Sequence, residues 1–118
     1  MTHLEYFSTK LGCLMSPMKL SQEMSNNPNN YVVIDVRNPA PQLTKKIKGS
    51  ISIPENQIAT RFSEIPKDKI IILYCWSSWC LLASETAVVL LDYGYPHVKE
   101  LSGGFEGWNS LNLPTETI

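Results

Sequence analysis

Two short segments constrain this chain more than any other feature. Tyr31-Val32-Val33-Ile34-Asp35-Val36 is β-branched and nearly all apolar, and Ile70-Ile71-Ile72-Leu73-Tyr74 is apolar throughout. A strand with one face in water alternates apolar and polar residues. A strand apolar on both faces belongs in the middle of a parallel sheet covered by helices.

The surrounding sequence supplies the covering elements. Leu4, Phe7 and Leu11 recur at helical spacing, which predicts a short amphipathic helix over 3–11 ended by Gly12. Cys13-Leu14-Met15 suits a short strand, with Cys13 buried in it. Ser16-Pro17 opens a second helix, serine as N-cap and proline at the first helical position. Arg37 to Lys48 reads as a loop, Ile51-Ser52-Ile53 as a short strand stopped by Pro54, and Glu55 to Phe62 as helical. A helix over 81–93 sets Leu82 and Val89 against the sheet, and Gly94 stops it. His97 to Leu101 is the expected last strand. Ser102-Gly103-Gly104 is a turn, and Phe105 to Leu111 a closing helix with Trp108 on its packed face. Such alternation implies an α/β chain built on a three-layer, doubly wound parallel sheet. At 118 residues the expectation is a single domain, 1–118, with an extra N-terminal helix at about 3–11.

Cys75 follows the second apolar run directly, and Trp76-Ser77-Ser78-Trp79-Cys80 separates it from the helix. Ligands of open α/β sheets bind beyond the carboxyl ends of the strands. Main-chain N–H groups and a helix N-terminus there favour an anion and lower a thiol's pKa from about 8.5. Small residues such as Ser77 and Ser78 let successive N–H groups turn inward, and their hydroxyls add donors. The candidate site is therefore Cys75 as a sulfur nucleophile or carrier, with Trp76, Ser77, Ser78, Trp79 and Cys80 as its loop. No histidine stands near to act as base. His3 lies at the terminus and His97 begins another strand.

The totals exclude several classes. A net charge of −1 and a pI near 6.1 give no basic surface for nucleic acid. No apolar stretch approaches the ~20 residues of a membrane span. Met1 to Lys10 carries Glu5 and lacks the apolar core of a signal peptide. Three irregularly spaced cysteines disfavour a disulfide framework, so a cytoplasmic, reducing setting is expected. No C-x-x-C pair supports a metal, and no cofactor is called for.

Three blocks resemble the single-domain rhodanese-like sulfurtransferase family. Val33-Ile34-Asp35-Val36-Arg37 with Ile47-Lys48-Gly49-Ser50-Ile51-Ser52-Ile53-Pro54 is similar to its I-D-V-R and H-I-x-G-A-x-x-I-P segments. Tyr74-Cys75 with its loop is the second block. Leu101-Ser102-Gly103-Gly104-Phe105-Glu106-Gly107-Trp108 is close to the terminal L-x-G-G-x-x-x-W. The resemblance spans about Met15 to Pro114. It implies a persulfide on Cys75, taken from a small donor (persulfide, polysulfide or thiosulfate) and passed to a thiol acceptor. The family's common loop is C-x-x-x-x-R, whose arginine helps bind anionic donors. Here Cys80 holds that position and Ser78 that of the usual glycine. Lys45-Lys46-Ile47 replaces the G-H-I at loop entry. The chain resembles a subset with C-W-x-x-x-C loops.

Several residues carry two readings. Cys80 either attacks a Cys75 persulfide and leaves a disulfide, or is a small buried residue in the first helical turn, which is the blander expectation. Trp76 and Trp79 either form an apolar rim or fill space against helices, and packing is the stronger expectation for Trp79. Asp35 and Arg37 either lend charge to the site or, as expected, form an internal network. Lys45, Lys46 and Lys48 read as a solvated face or as an attractor of anionic donors. The alternative to sulfur transfer is a non-catalytic interaction module for a protein partner. Helix 3–11 is a candidate homodimer contact. A cysteine phosphatase needs arginine where this chain has Leu81.

Overall fold

The computed structural model describes residues 1–118. Five parallel strands form one sheet in the order β1-β6-β5-β2-β4: β1 is Leu14–Met15, β2 Tyr31–Asp35, β4 Ile51–Ser52, β5 Ile70–Tyr74 and β6 Val98–Leu101. The two apolar segments are the neighbours β2 and β5, in register from Tyr31 opposite Ile70 to Asp35 opposite Tyr74. Their apolar faces explain the placement, since only interior strands have both faces covered.

Side-chain alternation sends β5 into two cores. Ile71, Leu73 and Cys75 join Ile34, Val36, Ile58 and Ile65 on one face, under α3 (Ile58–Arg61) and α4 (Leu82–Asp92). Ile72 and Tyr74 join Val33, Leu20, Phe105 and Trp108 on the other, under α2 (Pro17–Asn26) and α5 (Gly104–Ser110). The result is the expected three-layer, doubly wound α/β architecture.

Local chemistry sets the boundaries. Ser16 Oγ accepts from the Lys19 N–H at 3.2 Å and Pro17 occupies the first turn of α2. Gly94, at φ 91°, ends α4. Leu82 and Val89 pack against the first core as expected.

Four expectations need correction. The first helix, α1, runs His3–Cys13 and does not stop at Gly12. Thr2 and Glu5 form a capping box that starts it firmly, and Gly12 stands free of neighbours without a left-handed φ, so nothing forces a stop. Cys13 therefore ends a helix and is exposed, not buried in a strand. No residue of α1 is buried, and Leu4, Phe7 and Leu11 lie open. The segment expected as a loop, 37–48, ends in β3 (Lys45–Ile47). It pairs antiparallel with β7 (Thr115–Thr117) as a separate ribbon beyond the expected last strand. Lys46 is accordingly tied down. Its Nζ donates to Ser50 O at 2.9 Å and lies 3.5 Å from the Glu116 carboxylate. Finally, Glu55 to Phe62 is a 3-10 turn, the four-residue α3 and a second 3-10 turn, not one helix.

Candidate active site

Cys75 sits one residue past the end of β5, and its side chain joins the α3/α4 core at 2 % exposure. Its sulfur is bonded to that of Cys80, with the two Cα atoms 6.3 Å apart. The blander expectation for Cys80 holds in part, since it packs against the first core, but it stands before α4 and not in its first turn. It is half-buried, as the disulfide partner of Cys75. The bridge closes one short loop at the site, where the cysteine spacing gave no expectation of a disulfide framework, and leaves one free thiol, Cys13.

The loop is shaped by the turn after β6. Gly103 and Gly104 both take left-handed φ values, 80° and 60°. That geometry brings the start of α5 under the loop. The Phe105 N–H donates to Cys75 O and the Glu106 N–H to Trp76 O, each at 2.8 Å. With two loop carbonyls held by α5, the N–H groups of Trp76, Ser77, Ser78 and Trp79 donate to no main-chain acceptor, and no side chain accepts from them. The Cys80 N–H closes the turn onto Ser77 O at 3.2 Å. Ser77 is buried and its Oγ has no partner. Unpaired consecutive amides and an orphaned hydroxyl are the kinds of donor that hold an anion.

Asp35 and Arg37 lie on the opposite face of the sheet from the Cys75 side chain, because Val36 between them joins the Cys75 core. Arg37 grips Asp35 as a fork, Nη2 to Oδ2 at 2.6 Å and Nε to Oδ1 at 2.9 Å, and Nη2 also donates to Lys45 O at 2.7 Å. Both side chains are shut off from water. Tyr74 Oη donates to Asp35 Oδ2 at 2.9 Å and accepts from the Ile47 N–H at 3.1 Å. Burial first, then the Asp35 charge, pushes the Tyr74 phenol well above its usual range. This is the expected internal network. Its link to the loop is indirect: the guanidinium stacks 4.4 Å from the Trp76 ring and 4.5 Å from Phe105.

Trp76 is half-buried between that guanidinium and the first core. Trp79 is 77 % exposed, against the expectation of packing, and Ser78 is exposed beside it. Trp79 directly precedes the bridged Cys80 and packs against neither core. Trp108 packs as expected, its Nε1 donating to Pro114 O at 2.8 Å. Sequence reasoning missed the contribution of Gly104, although the paired glycines after β6 carried the signal.

The comparisons agree with this architecture. The rhodanese-like domain model matches residues 16–111. A sulfurtransferase of Allochromatium vinosum is 32% identical over 95 residues, covering 80% of this chain and 86% of its own length. A thiosulfate sulfurtransferase of Glaesserella parasuis is 24% identical, covering 86% and 91%. The crystal structure of a full-length protein from Lactobacillus plantarum is 34% identical, with a TM-score of 0.89 over 98% of this chain and 96% of that one. This chain belongs to the rhodanese-like domain family. Its helix α1 precedes the matched residues, and no helix is long and apolar enough to cross a membrane.

Proposed function

We propose that the protein transfers sulfane sulfur through a persulfide on Cys75. The observation that carries this reading is the run of unpaired amides from Trp76 to Trp79 around a cysteine at the carboxyl end of a central strand. A thiol reductant first opens the Cys75–Cys80 bridge to the dithiol. Cys75 thiolate then attacks the outer sulfur of a donor, whose S–S bond breaks as its thiolate leaves. The new terminal sulfur is anionic and diffuse, and several weak N–H donors suit it better than one point charge.

Two fates follow. An external thiol accepts the outer sulfur and regenerates Cys75 thiolate. Otherwise Cys80 attacks the inner sulfur, releases HS⁻ and restores the Cys75–Cys80 bond. The Cα separation of 6.3 Å within the bonded pair supports this second route. With Arg37 bound to Asp35 on the far face and Cys80 in place of the loop arginine, no guanidinium is aimed at a thiosulfate dianion. Persulfides and polysulfides are the better donors, and a thiol-based cycle suits a reducing cytoplasm.

The test is intact mass after reduction, desalting and exposure to each donor. Wild type is expected to gain one sulfur and then revert to the disulfide with one sulfide released. Cys80→Ser should hold the added sulfur, and Cys75→Ser should gain none at the loop. Absence of the adduct with every donor overturns the proposal. A second reading, a docking module, is favoured by Trp79 at 77 % and Leu81 at 64 % exposure beside the loop. A protein that binds Cys75→Ser as tightly as wild type, with no sulfur turnover, would support it.

A further inference from the structure

A cleft of ≈ 350 Å³ opens beside the loop, lined by Lys10, Ser78, Ser84, Glu100 and Ser102 among others. It lies on the Cys75 face of the sheet. Ser84 belongs to α4, which covers that face, and Ser84 Oγ donates to Glu100 Oε2 across it at 2.8 Å. Ser78 connects the cleft to the cysteine loop. Lys10 reaches it from α1, the helix that precedes the family match.

The charges in this cleft are unusual. Lys10 and Glu100 line the same space, yet neither belongs to any of the ion pairs of the protein. Glu100 is half-buried and fixed by Ser84, while its Oε1 accepts no hydrogen bond. A dianion such as thiosulfate would meet the Glu100 carboxylate. A simple cation would meet Lys10. The hydroxyls and charges disfavour an apolar guest. A zwitterion with ammonium and carboxylate on one carbon satisfies both groups at once, and the volume suits a small molecule.

We infer that this cleft binds a small α-amino-acid thiol and its persulfide, Lys10 taking the carboxylate and Glu100 the ammonium. The inference rests on the sulfur-transfer reading for its chemistry, and it names the substrate class of that site. The bound persulfide presents its outer sulfur to Cys75 thiolate. The donor S–S bond breaks, the amino-acid thiolate leaves with the electron pair, and Cys75 carries the sulfur. No net oxidation occurs. Two equivalents of the same thiol open the Cys75–Cys80 bridge beforehand and depart as their own disulfide. Lys10 and Glu100 are thus specificity-determining residues of the transfer.

Three donors on reduced protein test this: the persulfides of cysteine, of cysteamine (no carboxylate) and of 3-mercaptopropionate (no ammonium). Intact mass gives the second-order rate of sulfur uptake. Wild type should prefer cysteine persulfide by about tenfold over either, the worth of one charge-assisted contact. Lys10→Gln should abolish the preference over cysteamine persulfide, and Glu100→Gln that over the mercaptopropionate persulfide. Equal wild-type rates, or preferences that survive both substitutions, overturn the inference.

Binding of S-methylcysteine, which carries both charges and no thiol, separates the cleft from the chemistry. It should shift the amide resonances of Ser78, Ser84 and Glu100, and Lys10→Gln should remove the effect. No shift up to about 10 mM overturns the assignment. Binding together with a Cys75 that takes sulfur from no donor leaves the cleft standing and defeats the transfer reading alone.

Discussion

The Cα of Gly104 lies against the carbonyl of Cys75. A Cβ at position 104 would stand 2.7 Å from Cys75 O and 2.8 Å from the Ser77 nitrogen, closer than such atoms approach. The backbone there is also left-handed, at φ 60°. Glycine is required by two independent constraints, and both bear on the loop that holds the cysteine.

Gly104→Ala should therefore lower stability by about 2–5 kcal/mol, from left-handed strain plus the forced separation of α5 and the loop. The Phe105 and Glu106 N–H bonds to Cys75 O and Trp76 O would lengthen. In protein that still folds, sulfur uptake by Cys75 should slow on the order of 10²-fold, since small misplacements are costly at a reacting atom. Urea titration and intact mass measure the two effects. Wild-type values for both would show that the close approach has no consequence.

Arg37→Met should be among the more damaging substitutions outside the loop. It leaves Asp35 buried without its partner, which costs roughly 3–5 kcal/mol. Arg37→Lys keeps the charge but not the fork, and an ammonium cannot reproduce bonds to both Asp35 oxygens and Lys45 O. It should still lose more than about 1 kcal/mol. Either change removes the stacking on Trp76, so its fluorescence should shift. Denaturation curves overlapping wild type for Arg37→Lys would contradict the fork.

These residues show what a sequence discloses. β2 and β5 were legible because burial on both faces leaves a short, β-branched, nearly unbroken apolar run, whereas the apolar run Ala87–Leu91 belongs to a longer helical pattern. Cys75 followed, because a strand end in such a sheet is where ligands bind. The β3–β7 ribbon was not legible: Lys45-Lys46 carries no strand signal, and its pairing with Thr115–Thr117 depends on a partner some seventy residues away. The Cys75–Cys80 bond was open for a related reason. The curl that joins the loop's ends rests on the Cys80 N–H bond to Ser77 O within it and also on α5 beneath it, which Gly104 lets approach and which the loop's own residues do not reveal. The exposure of α1 was hidden too, since amphipathic spacing marks a face without naming what covers it.

The bridge makes a countable prediction. Unreduced native protein should react as one thiol per chain, Cys13, and fully reduced protein as three. Cys13→Ser should bring the first count to none. Reduction should destabilise the fold by about 2 kcal/mol, the loop-entropy value for so short a loop. A thiol-reagent titration and urea curves with and without reductant measure both. Three fast thiols before reduction would place the loop in its open form.

Tyr74 makes the last prediction, and its sign follows from the direction of its shift. Burial and then the Asp35 charge hold the phenol above its ordinary pKa of 10.0 in the folded chain. The unfolded chain releases that proton near pH 10, while the folded chain keeps it. The contribution is therefore complete below pH 10 and is lost as pH rises toward the folded pKa, by up to about 1.4 kcal/mol per pH unit. Tyr74→Phe should cost about 1–3 kcal/mol at pH 7, because Asp35 Oδ2 and the Ile47 N–H lose a partner. Above pH 10 the variant should lose stability less steeply than wild type, so the two urea curves converge. Tyr31 and Tyr95 are also raised by burial, and they are common to both proteins, so the difference isolates Tyr74. A gap that stays constant from pH 7 to about pH 11 would mean that the phenol ionises alike in both states.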